Sequence, residues 1–91
     1  MREEAELSEA SVRGERAKQI LNDKLVKGAL TSMRESVYHN ISTSHFKAVD
    51  EREDLYKMLQ AITHFENEFK RHISGGKKAR SMLDKLFNKG E

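Results

Sequence analysis

The 91-residue chain has no cysteine, no proline and no tryptophan, and aromatic residues make up only 7% of it. Without cysteine there is no disulfide and no thiolate metal site, and the redox compartment stays open. Without proline nothing forces a kink, which suits helices better than any other architecture. With so few aromatics the core must be thin and mostly aliphatic. No apolar run approaches the roughly 18 residues of a membrane span, and the opening MREEAELSE lacks the apolar stretch of a signal peptide. A soluble, intracellular protein without membrane contact is therefore expected. Also missing are a nucleophile elbow, a phosphate-cradling glycine loop and an HExxH pair. The chemistry expected is correspondingly none: no enzyme, no cofactor, no small-molecule substrate.

What the chain does have is charge, 35% of its residues, with a net value of +2 that conceals segregation. Residues 1–15 sum to −3, 16–49 to +4, 50–69 to −4 and 70–91 to +5. Alternating blocks of this kind suit antiparallel neighbours or contacts between unlike ends of subunits.

The most legible segment runs from Asp50 to Ser74. Asp50 is placed to cap a helix, with Glu53 three residues later completing a capping box. Acidic residues fill its first turn and Lys70, Arg71 and His72 its last, as the helix dipole favours. Gly75 follows where a left-handed terminal residue is wanted. Between these ends Leu55, Met58, Leu59, Ile62, Phe65, Phe69 and Ile73 recur at helical spacing, a stripe that needs a partner surface.

The remaining segments are read against this helix. Residues 1–10 are acidic and poor in large apolar groups, so a flexible arm is expected. A short helix follows from about Ser11, with Ala17, Ile20 and Leu21 on one face and Gly14 weakening its first turn. Asn22-Asp23 favours a break, with Asp23 capping a second helix; one continuous helix is the alternative. Leu25, Val26, Ala29, Leu30, Met33, Val37 and Ile41 then keep helical spacing, with Gly28 as a weak point or a site of close approach. The stretch ISTSHFKAV, residues 41–49, reads as a loop beneath which Phe46 and Val49 could tuck. It allows 24–41 and 50–74 to pack as an antiparallel hairpin. Ser74-Gly75-Gly76 reads as a hinge, after which Ala79, Met82, Leu83, Leu86 and Phe87 form the apolar face of a short basic helix.

Candidate sites are few. His64, Glu68 and His72 lie on one helical stripe, but three ligands spaced by about 6 Å along a rod cannot reach one ion. Lys70, Arg71, Lys77, Lys78, Arg80 and Lys85, with Lys89, gather in the last third and could neutralise phosphates of a nucleic acid without reading its bases.

The succession Arg13-Gly14-Glu15-Arg16-Ala17, then Leu21-Asn22-Asp23, Asp50, Arg52-Glu53, Leu55, Met58-Leu59 and Gly76-Lys77 with Ala79 resembles small all-helical proteins of tailed bacteriophages. The resemblance covers roughly residues 13–79. It implies a viral, non-enzymatic protein of virion assembly or DNA packaging, found in the host cytoplasm or the virion. Small terminase subunits, for example, build rings from helical hairpins. The resemblance carries over no functional residue.

The expectation is thus an all-α protein in three parts: an acidic arm over 1–10, a helical-hairpin core over 11–74, and a hinged basic amphipathic helix over 75–91. Its partners would be further copies of itself and other phage proteins, with DNA contact possible; the alternative is a small nucleic-acid-binding or regulatory protein, an inhibitor included, acting on a host factor through its basic C-terminal third. Leu55, Met58, Ile62, Phe65 and Phe69 would build the hairpin and part of a subunit interface. Met82, Leu83, Leu86 and Phe87 would dock on a neighbour.

Overall fold

A computed structural model describes residues 2–88. Three helices, α1 (Arg2–Asn22), α2 (Lys24–Thr43) and α3 (Val49–Phe87), account for nearly all of them, and no strand occurs among the described residues. The protein is all-α. At 1.5 Å per residue, the 39 residues of α3 span about 58 Å, most of the 67 Å length of a molecule 25 by 19 Å across.

α1 and α2 lie end to end along α3. Arg52 bonds to Ser44 near the loop, Glu66 pairs with Arg34 further along, and Gly76 abuts Gly14 further still. Residue numbers that rise along α3 fall along its neighbours, so both run antiparallel to it. The hairpin expected between 24–41 and 50–74 is one part of this longer arrangement, because α1 continues along the far half of α3. The charge blocks sit accordingly. Acidic residues of early α1 lie beside the basic C-terminal third of α3, and acidic 50–69 lies beside basic 16–49.

The nick between α1 and α2 is at Asp23. Its backbone is extended, and its carboxylate accepts hydrogen bonds from the Leu25 and Val26 amides at 2.9 and 3.1 Å, satisfying two first-turn donors of α2. The polar run at the end of α2 caps it rather than breaking it early. Ser42 and Thr43 hydroxyls donate to the His39 carbonyl, and Ser44 donates to that of Ile41. The loop is therefore only 44–48. Phe46 does not tuck beneath it; 74% exposed, it stacks on His45 with the Lys47 ammonium nearby, and Val49 is half-exposed.

Three further expectations give way to the structure. Residues 2–10, read as an arm, are helical and belong to α1; Met1 lies outside the described residues. Asp50 does not cap α3, which begins one residue earlier behind Ala48 with no side-chain cap. The capping box with Glu53 is accordingly not made. Instead the Arg52 guanidinium donates to the His45 and Phe46 carbonyls at 2.6 and 2.9 Å, fastening the loop to the helix start. Asp50 and Glu51 act through the dipole alone.

Nor is there a hinge at Ser74-Gly75-Gly76. α3 passes straight through, and no described residue has a positive φ. The reason is the partner helix. A Cβ built on Gly76 would lie 2.8 Å from the Gly14 Cα and 3.1 Å from the Ala10 carbonyl, and one on Gly14 would lie 2.6 Å from the His72 carbonyl. Each glycine exists for the other's backbone. Small residues around the crossing, Ala10, Ala17 and Ala79, let α1 approach α3 more closely than α2 does. The segment 75–87 is thus the end of α3, not a separate hinged helix.

The core repeats every seventh residue along α3. Leu55, Ile62, Gly76 and Leu83 are buried, and Phe69 is half-buried. Leu30 and Val37 from α2 meet Leu55 and Ile62, with Leu21, Val26, Ile41 and Leu59 around them. Half-buried Arg34 and Glu66 pair beside this cluster. Among the described residues no side chain is completely withdrawn from water.

Candidate interaction site

The residues expected to form an interface divide into two sets. Leu55, Ile62 and Leu83 face the chain's own core, and Phe69 is half-buried against it. Met58, Phe65, Met82, Leu86 and Phe87 point outwards, Met58 and Phe65 each 52% exposed. The split follows from the seven-residue register. A helix packed along one seam hides every seventh residue and leaves those three or four places away at its margin.

On one margin the exposed residues line a groove. Val26, Ala29, Leu30 and Met33 of α2 form one wall, and Ala61, Ile62 and Phe65 of α3 the other, around an open volume of about 430 Å³. Phe65 is held at the rim by an edge-on contact with Phe69, ring centres 5.2 Å apart. Apart from backbone, the lining offers no hydrogen-bonding side chain. Such a surface can exclude water from an apolar partner and little else. Sequence reasoning misses Val26, Ala29, Met33 and Ala61 as site residues. Their signal is there nonetheless: Val26 and Met33 fall four and three places from Leu30, and Ala29 and Ala61 directly precede Leu30 and Ile62.

The basic residues are more dispersed. Lys70 pairs with Glu66 at 3.8 Å and Arg71 with Glu68 at 3.1 Å, while Lys78 and Lys85 are exposed elsewhere. Lys77 and Arg80 line an open cleft of about 740 Å³ beside the Gly14–Gly76 crossing, joined there by Arg16 and Lys18 of α1 and by Glu15. Arg16 and Lys18 join a basic site only because the helices run antiparallel. Lys89 lies outside the described residues.

Glu68 has a perturbed titration. The hydrogen bond donated by Arg71, and then its charge, hold the Glu68 carboxyl below its ordinary value; slight desolvation opposes, and His72 and His64 add smaller effects. No group of three His, Asp or Glu side chains placed to hold a metal ion occurs among the described residues. No helix there is long and apolar enough to cross a membrane. Compared with known protein families, curated proteins and solved structures, the chain matches none.

Proposed function

We propose that this is a non-enzymatic assembly protein that works by association of its helical faces, first with further copies of itself. The observation that carries the reading is the apolar surface left over once the hairpin has formed. Met33 and Phe65 stand about half exposed on a groove without polar side chains, Met58 is equally exposed on the same helix as Phe65, and no described side chain inside is fully buried. A 91-residue chain with so thin a core gains from covering that surface. The setting, the virion or DNA-packaging apparatus of a tailed bacteriophage, rests on the sequence resemblance alone. The test is the native mass at low and high salt. A multimer that persists in high salt supports association through apolar faces, because salt screens exposed charge pairs but does not weaken apolar burial. A chain that remains single in both counts against it.

A second reading has its own observation. Arg16, Lys18, Lys77 and Arg80 converge on one cleft, an arrangement able to follow a phosphate backbone. On this reading Lys77→Glu with Arg80→Glu abolishes duplex DNA binding at low salt and leaves the helical content unchanged. Equal DNA binding by that variant and the natural chain would dismiss it.

A further inference from the structure

We infer that the occupant of the apolar groove is a second copy of this chain, its α3 lying antiparallel on the first about a two-fold axis beside Ala61. The inference rests on the assembly reading and gives it one face and one register.

The face is defined by α3 itself. Met58, Ala61 and Phe65 follow one another at spacings of three and four on the side turned away from the basic cleft, and all three are exposed. Ala61, the smallest, sits midway between two large residues. An axis there lets the two backbones approach closely at the centre. It also sets Met58 of each copy opposite Phe65 of the other, so each groove receives a large apolar side chain from its neighbour. A two-fold interface must be self-complementary in this way.

The charges flanking the stripe obey the same axis. In the register that pairs Met58 with Phe65, Arg71 of one copy falls opposite Arg52 of the other, whose guanidinium is turned back onto its own loop, and lies within a helical turn of the exposed Glu51 and Asp54. Lys57 falls within about a helical turn of Glu68 on the partner copy. Before its apolar centre the α3 face carries Glu51, Asp54 and Lys57, a net negative charge, and after it Glu68, Arg71 and Lys78, a net positive one, so a parallel pairing would set like net charges together and an antiparallel one sets unlike net charges together. Glu51, Asp54 and Arg71 are all exposed, and within the chain Arg71 pairs with Glu68 on its own helix.

The absence of natural cysteine makes the test direct. Ala61→Cys, close to the axis, is expected to form a disulfide-linked dimer under mild oxidation, whereas Lys77→Cys, on the opposite margin of α3, is not. Arg71→Glu is expected to weaken association by roughly tenfold at low salt, and combining it with Glu51→Arg and Asp54→Arg to restore it. These are exposed positions, and circular dichroism verifies that each variant stays helical. A multimer in which Lys77→Cys cross-links and Ala61→Cys does not would overturn this face and leave the assembly reading standing. Failure of the charge exchange to restore association would overturn the register. A natural chain that stays single at every concentration would refute both readings together.

Discussion

Replacing the chain's glycines one at a time by alanine tests the tight helix crossing. In a helix interior alanine is favoured over glycine by about 0.8–1.0 kcal/mol, and Gly28, Gly75 and Gly76 are all helical. Gly28 and Gly75 have open space where a methyl would go, so their alanine variants should be stabilised by about that amount. Gly76→Ala receives the same gain but must place its methyl 2.8 Å from the Gly14 Cα. The obstructing atoms are backbone and cannot rotate away, so α1 has to move off α3. Overpacking of this kind costs about 1–3 kcal/mol. Because the helix-propensity gain is common to all three, the difference between Gly76→Ala and Gly28→Ala reads the crossing alone. At about 4–8 °C per kcal/mol for a domain of this size, Gly76→Ala should melt at least about 4 °C below Gly28→Ala. Thermal unfolding followed by circular dichroism at one fixed protein concentration measures it. Gly14→Ala should behave like Gly76→Ala, and the double variant should cost less than the sum, since one displacement of α1 admits both methyls. If Gly76→Ala proves as stabilising as Gly28→Ala, α1 does not cross α3 there.

Three other outcomes follow from the same structure. Asp23→Ala removes the acceptor of two first-turn amides and should cost about 1 kcal/mol in chemical denaturation, with Asp23→Asn retaining most of the stability. Ile62→Ala should cost about 2–3 kcal/mol, the lower part of the usual range, because the groove beside it is already open and no closed cavity is left. Glu68 should titrate below the ordinary glutamate value by NMR and return towards it in Arg71→Ala. Because its folded-state pKa is depressed, its contribution to stability is present above the ordinary glutamate range and is lost as the pH falls through the lowered value.

Much of the fold is legible in the sequence because helix periodicity is a local signal. Leu55, Ile62 and Leu83 announce a buried stripe, and Asp23 announces a cap, from their own neighbourhoods. The charge blocks likewise point to antiparallel neighbours. The failures are places where a distant residue decides a local question. Gly75-Gly76 carries every sign of a helix end, yet Gly14, some sixty positions earlier, turns Gly76 into a contact surface. Asp50 is a good cap in isolation, but Arg52 ties the loop so that the helix begins before it. The serines and threonine after Ile41 look like loop residues, and all three instead serve the last turn of α2. At the candidate site, Met58 and Phe65 are legible from the stripe. Which of the stripe's residues stay outside depends on the side from which α2 approaches, and periodicity alone does not fix that.

The most direct test of the account is sedimentation equilibrium of the natural chain and of Ala61→Glu side by side, over a range of concentrations and at two salt concentrations. The account predicts a mass of at least twice the 10.5 kDa chain for the natural protein, held at high salt, and a single-chain mass for the fully helical variant. A natural chain that sediments as one chain at every concentration, or an Ala61→Glu variant that associates as strongly as the natural one, would contradict it.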